Sequence, residues 1–434
     1  MAKKSPKNKS VKGKILPQSP KGMHDILPEE QPRWEKIRGM LYKIADAFNF
    51  LRIDTPIMER AEIFERSGEA TDLVEKQMYF VKTKGEDRFV LRPEATASIM
   101  RAYFQNGLSK ISQPLKLFYI GPMFRYEQPQ AGRFRQFHQI GFEIIGDEDD
   151  SIYDAQIILA SFRLIEELKI KNLIIQINSI GCRQCRHAYI KKLEEYYKNK
   201  QDEICKNCRQ RLATRPLRLL DCKEEKCQPI KMEAPLIVDK LCNNCKRQFK
   251  STLEYLDSLS LPYSLNPYLV RGLDYYNGVV FEIISEVPEL NFALAAGGRY
   301  DYLSEMLGEK KVCAVGSAVG IERLIEAMRF YDIPGQLRNE AKVFLAYIGE
   351  EAKKKSLFVI EELRKAGIKT IESFIKESLK SQLRVADKKE VKITLIFGQK
   401  EVFEESVIIR NMETGNQETV PLIRVVEEVK RRLH

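Results

Sequence analysis

The chain has 434 residues, 44% hydrophobic and 31% charged, with a formal net charge of +11 and a pI near 9.0. That length accommodates two or three domains with well-buried cores, and no run approaches ~20 consecutive apolar residues, which excludes a membrane-spanning helix. The basic balance suits a polyanionic partner. Nine cysteines without a secretory signal argue against a disulfide scaffold and for free thiols or metal ligands.

Residues 1–20 are lysine-rich and read as a disordered basic arm, solvated or in loose contact with RNA phosphates. Trp34, Ile37, Leu41, Ile44 and Phe48 then recur at helical spacing. FLRIDTPIME (50–59) reads as a strand whose Pro56 marks an edge or interface. KQMYFVKT and DRFVLRP alternate around KGED as a hairpin, and residues 115–127 and 133–146 form two long strands joined by a loop. A helix over 151–170 and a buried strand over 172–180 follow. Strands linked by turns rather than helices predict an antiparallel sheet with helices packed on it, an α+β domain over 21–180 and 257–330. Cysteines and charges over 181–256 read as an insertion within it. Residues 331–340 read as a linker, and 341–434 alternate strand and helix as a compact α/β domain.

Four stretches of the α+β part concentrate chemistry. In RPEATA, Glu94 and Thr96 follow a strand and open a helix; taken alone, they read as an acidic helix cap. In FRYEQPQAGRFRQFHQIGFE, Arg125, Arg133 and Arg135 sit with Glu127, Gln139 and Glu143 on a strand–loop–strand. Alternation puts residues 139, 141 and 143 on one face, and arginines there can clamp phosphates bidentately. LVRGLDYYNGVVFE places Arg271 and Asp274 before Tyr275 and Tyr276, with Asn277-Gly278 as a tight-turn signal ahead of a strand. It pairs with AAGGRYDYL, where Gly297-Gly298 permit close backbone approach ahead of Arg299 and Asp301. In VCAVGSAVGIERL a glycine-spaced turn leads into a helix, whose first amides and Arg323 make an anion site.

In order and spacing, KGMHDILP, GPMFRYEQPQAGRFRQFHQIGFE, LVRGLDYY, AAGGRYD and AVGSAVGIERL resemble the histidyl-tRNA synthetase family of class II aminoacyl-tRNA synthetases, over about residues 21–434. The resemblance implies a catalytic domain in two parts, a C-terminal anticodon-binding domain, a cytoplasmic homodimer formed through the Pro56 region, and ATP with Mg2+, L-histidine and tRNA(His) as reactants and partners. It implies that Arg125 holds the α-phosphate, Glu127 reaches the adenine side, Phe137 stacks on adenine and Arg323 grips the distal phosphates. Arg271 would meet the carboxylate and α-phosphate. Glu143 and Tyr276 would take the imidazole nitrogens, Glu94, Ala95 and Thr96 the α-amino group with Gln139 nearby, and Tyr275 the pocket wall. Gln130, Arg133 and Arg135 would face the tRNA acceptor end. Ala95 stands where many relatives have glycine, and Gln128 where arginine is common.

Eight cysteines form four close pairs, Cys182/Cys185, Cys205/Cys208, Cys222/Cys227 and Cys242/Cys245. Three have the two-residue gap of zinc knuckles, so two four-thiolate sites for structural Zn2+ are expected, with His187 an alternative ligand and the pairing open. Cys313 reads as core. The competing reading is a non-catalytic, histidine-binding regulatory paralogue of histidine biosynthesis, which usually drops the terminal domain and erodes the arginines kept here.

Overall fold

The structure, a computed structural model, describes residues 17–68, 73–129, 132–336, 341–375 and 378–433. Most of the expected basic arm and Gln130 lie outside these residues. The chain divides into two compact units, Met1–Gln336 and Leu337–His434. Among the described residues no helix is long and apolar enough to cross a membrane.

The first unit opens with α1 (Gln31–Ala47), which buries Trp34, Ile37, Leu41 and Ile44 on one stripe. The single strand expected over 50–59 is two, β1 (Leu51–Arg52) and β2 (Met58–Arg60), because Pro56 cannot donate to a ladder. After α2 (Ala61–Ser67), the hairpin β3 (Tyr79–Val81) and β4 (Phe89–Leu91) joins β2 in a small sheet. Next come α3 (Thr96–Gln105), β5 (Leu115–Phe124), β6 (Gln136–Gly146), α4 (Ser151–Glu167) and β7 (Leu173–Ser179). The insertion is helical: α5 (Arg183–Lys198), α6 (Lys206–Thr214), α7 (Gln228–Met232) and α8 (Asn243–Ser258). Then follow β8 (Tyr263–Leu265), β9 (Asn277–Ser285), β10 (Ala295–Arg299), α9 (Leu303–Met306), β11 (Cys313–Gly320) and α10 (Ile321–Phe330).

The large sheet runs β1-β5-β6-β11-β10-β9-β7-β8. It is antiparallel except at its edges, where β1 with β5 and β7 with β8 are parallel. Along β6, Ile140, Phe142 and Ile144 enter a core shared with α1, α4 and α10. Alternation then turns Gln139, Gly141 and Glu143 to the opposite face. Two local expectations change. Asn277-Gly278 is no hairpin turn: both residues belong to β9, where Gly278 has φ +55° and the register with β10 shifts between Gly298 and Arg299. That is a bulge, the other place where a left-handed glycine is wanted. The glycine-spaced stretch of VCAVGSAVGIERL, expected to hold a turn, is strand β11 in mid-sheet and runs directly into α10.

Arg299 ties that strand to α4. Its guanidinium meets Asp154 at 2.6 Å and 3.1 Å, Asp149 at 2.7 Å and the carbonyl of Asp150 at 2.9 Å, nearly all out of water. Asp301 completes the network, accepting from Asn277 Nδ2 at 2.7 Å and from the amide of Ala314 at 2.9 Å.

The second unit comprises β12 (Val343–Tyr347), α11 (Glu350–Lys365), β13 (Thr370–Glu372), α12 (Leu379–Lys388), β14 (Ile393–Phe397), α13 (Gln399–Phe403), β15 (Ser406–Asn411), β16 (Gln417–Pro421) and α14 (Val425–Leu433). Its five strands, ordered β13-β12-β14-β15-β16, have their own core on both faces.

Arg299→Met should cost about 3–5 kcal/mol of stability at pH 8, because it strands the buried Asp154 charge. Burial already raises Asp154 to about 6, so the loss should shrink toward pH 5, where a proton neutralises it. Urea unfolding at the two pH values measures both effects, and equal losses would contradict this account.

Candidate active site

Glu143 lies at the centre of the sheet, 1% exposed. Its Oε1 accepts from Thr96 Oγ1 at 2.9 Å, and its Oε2 from Tyr300 OH at 2.5 Å. The space exists because Gly316 is the residue paired with Glu143 on β11; a Cβ there would overlap the carboxylate. Burial raises the Glu143 carboxyl to about 8, against the hydrogen bonds from Tyr300 and Thr96. Glu94 is also buried and does cap α3, accepting from the amides of Thr96 at 2.5 Å and Ala97 at 3.0 Å. Capping therefore holds Thr96 toward Glu143.

Tyr275 and Tyr276 are both buried, their rings 4.8 Å apart, and Tyr300 stands 5.9 Å from Tyr275. Arg271 packs 5.5 Å from the Tyr276 ring and donates to Glu282 Oε1 at 2.7 Å. Among the described residues, its Nε and the side-chain amide oxygen Oε1 of Gln139 are both buried without a hydrogen-bond partner. A buried orphan acceptor is costly, and its cost falls when a ligand N–H arrives.

Beside this cluster lies a group of arginines. Arg125 donates to the carbonyl of Pro93 at 2.9 Å and covers the Phe137 ring at 5.2 Å. Arg323 donates to the carbonyls of Ala293 at 2.8 Å and Gly132 at 3.4 Å. Burial lowers the Arg323 pKa, and the nearby positive charges of Arg133 and Arg125 lower it further. Three guanidiniums thus lie within electrostatic reach of one another, an arrangement that favours an anion. Arg133 keeps only a loose pair with Glu127 at 3.7 Å, and Arg135 stacks on Tyr126 at 4.0 Å. Glu322, in the first turn of α10 beside Arg323, instead pins the backbone and ring of His138 at 2.8–2.9 Å.

The expected residues of both clusters thus come from five separate segments to one face of the sheet, Gln130 aside. The reading of the sequence missed Tyr300, which lies between the two charged residues that drew notice in GGRYD. An aromatic carrying a hydroxyl directly after a glycine-bearing strand was the available signal.

The cysteines resolve into two groups, Cys182/Cys185/Cys242/Cys245 and Cys205/Cys208/Cys222/Cys227, each with its sulfurs within 4.8 Å of one another. His187 belongs to neither. Cys182, Cys205 and Cys242 stand at the N-caps of α5, α6 and α8. Backbone amides donate to the sulfurs, Cys242 N to Cys185 Sγ and Cys205 N to Cys227 Sγ, both at 3.1 Å. Such donors stabilise thiolate ligands.

The histidyl-tRNA synthetase family profile matches residues 22–324, and that of the anticodon binding domain residues 342–432. The chain belongs to the histidyl-tRNA synthetase family. It is 42% identical to the histidine–tRNA ligase of Halothermothrix orenii over 95% of this chain and 99% of that one. With the Thermosipho melanesiensis histidine–tRNA ligase the identity is 44%, over 92% and 94%. The apo histidyl-tRNA synthetase of Staphylococcus aureus superposes with a TM-score of 0.79 at 32% identity, over 95% of this chain and 99% of that one. Within the family framework the first unit has the class II synthetase catalytic fold, carrying the cysteine-rich insertion, and the second the anticodon-binding fold.

Glu143 gives the family site a pH signature. Its pKa is 4.5 in a free chain and about 8 here, so its protonated form favours folding. That contribution is complete below pH 4.5, declines as pH rises and is gone above about 8. The melting temperature of Glu143→Gln should therefore gain on the parent between pH 6 and 9. Parallel curves across that range would show that Glu143 is ionised in the folded protein.

Proposed function

We propose that this chain, as a histidine–tRNA ligase, joins L-histidine to ATP as histidyl-adenylate, releases pyrophosphate, and transfers histidine to tRNA(His). The carrying observation is the seating of the Arg271–Tyr276 loop beside the buried Glu143, next to the group formed by Arg125, Arg133 and Arg323. A neutral imidazole offers one donor and one acceptor. In our reading the Glu143 carboxyl and the Tyr276 hydroxyl satisfy them, while the free Gln139 oxygen and the Glu94–Ala95–Thr96 turn take the α-amino group. A site with paired polar groups rejects analogues that leave them unsatisfied.

The reaction brings a carboxylate against the α-phosphate, so the protein must suppress like-charge repulsion. Positioning and electrostatics do this without a protein nucleophile. Arg271 is placed for the carboxylate and α-phosphate, Arg125 for the α-phosphate, Phe137 and Glu127 for the adenine side, and Arg323 for the distal phosphates. Mg2+ bound with ATP would neutralise phosphate charge, and the carboxylates of Glu127 and Glu282 among these arginines are the hard oxygen donors it takes. Arg133 and Arg135, with Gln130, would face the acceptor end of the tRNA, and the second unit would read its anticodon by base contacts.

We assign both cysteine groups to structural Zn2+: four sulfurs apiece and amide donors to the sulfurs fit a closed tetrahedral site. A homodimer would bury Leu51, Ile57 and Met58, exposed apolar residues flanking Pro56. The setting is the cytoplasm. The regulatory paralogue is disfavoured because Arg125, Arg271 and Arg323 all stand at the site.

Histidine-dependent pyrophosphate exchange tests the activity; none from folded protein that still binds histidine would favour the paralogue. Arg271→Ala should lower the exchange kcat by about 10²-fold or more while histidine affinity changes about threefold at most. Equal losses would make Arg271 a binding residue only. Metal analysis of protein purified without chelator should find two zinc ions per chain, and one or none would remove a site.

A further inference from the structure

Asp274 entered as a charge without a task, and the structure places it where the insertion meets the histidine loop. A cavity of about 240 Å3 lies there, lined by Arg186, Arg215, Arg218, Arg271 and Asp274 among apolar side chains. Arg186 is the residue after Cys185, in the first turn of the helix that Cys182 caps. Its guanidinium donates to the carbonyls of Tyr276 at 2.9 Å and Asp274 at 3.3 Å, bracketing Tyr275. Arg218, in the stretch between Cys208 and Cys222, packs on the same loop: a Cβ at Gly272 would stand 2.9 Å from its Nη1. Tyr268 OH donates to the carbonyl of Met232, and Gly278 N to Gly181 O at 3.0 Å. The insertion therefore holds residues 268–278 at four points, each close in sequence to a cysteine group or its helices.

We propose that Arg186 is a positioning residue for histidine activation, and that the Cys182/Cys185/Cys242/Cys245 group, by fixing the first turn of α5, couples metal occupancy to the shape of the histidine pocket. The Asp274 carboxylate completes the latch by compensating Arg186, Arg215 and Arg218, which all act on it electrostatically. Both tethered carbonyls belong to the backbone that carries Tyr275 and Tyr276. Slack there moves the tyrosines away from Glu143, whereas Arg125 and Arg323 hang from other segments and Arg271 keeps its own bond to Glu282 on β9. Loss of the latch is therefore selective for histidine over ATP. The inference rests on assigning residues 271–276 to the histidine pocket.

Arg186→Ala should raise the KM for histidine in pyrophosphate exchange about tenfold, the effect of one lost charge-assisted hydrogen bond, with kcat and the KM for ATP within about twofold. Arg186→Lys should fall between, since one ammonium lacks the two-pronged reach of a guanidinium. Amide hydrogen exchange over residues 269–282 should quicken in Arg186→Ala and, equally, in the parent protein stripped of metal by chelation. An unchanged histidine KM, a parallel rise in both KM values, or a segment 269–282 that stays protected after metal removal would overturn the proposal. Should Arg186→Ala fail to fold, Arg186→Lys and the stripped parent carry the same readouts. Absence of exchange activity in the parent would count against the proposed function, and hydrogen exchange would still decide the latch.

Discussion

A carboxylate in the middle of a β-sheet needs donors and room, and Glu143 obtains both from other parts of the chain. Thr96 reaches it from the start of α3, Tyr300 from the end of β10, and Gly316 leaves the space on β11. None of these residues is near Glu143 in sequence, so the pocket exists only when the sheet order β6-β11-β10-β9 is complete. Glu94 extends the chain of dependence, since by capping α3 it aims Thr96. Folding of the central strands and formation of this pocket are then one event.

The arginines obey the opposite logic. Arg299 is buried and neutralised by Asp149, Asp154 and Asp301; it has nothing left to offer a ligand. Arg125 and Arg323 are tethered to neutral carbonyls, which fix their geometry without cancelling their charge. Arg133 and Arg125 both disfavour the charge on Arg323, a repulsion that a polyphosphate would relieve. Tether chemistry, rather than burial alone, separates the structural arginine from those open to a ligand.

Much of this was legible in the sequence, for particular reasons. The two long strands were plain because β5 and β6 each exceed nine residues and alternate, and the alternation alone put Gln139 and Glu143 on one face. Short elements were not: Asn277-Gly278 suits a hairpin turn and a bulge equally, and only the register of β9 against β10 distinguishes them. In GGRYD the charged residues attracted attention, although Arg299 and Asp301 serve the fold and the tyrosine between them touches Glu143. Charge is visible in a sequence, whereas compensation of charge is a tertiary fact.

The cysteine pairing belongs to the same class, and its outcome has a physical rationale. The groups are nested, with Cys185 and Cys245 60 residues apart and Cys205 and Cys222 17 apart. For a flexible chain, closing the longer loop costs about 1 kcal/mol more than closing the shorter. Once the inner group has formed, the outer closure spans a partly ordered segment and that difference shrinks. The outer group then closes the base of the insertion, where the chain leaves β7 and returns through α8 to β8. Metal at that position would staple the root of the insertion to the sheet that holds the histidine loop, while metal at the inner group would order its tip. Two chemically alike sites thus carry different mechanical duties, set by where the chain crosses itself.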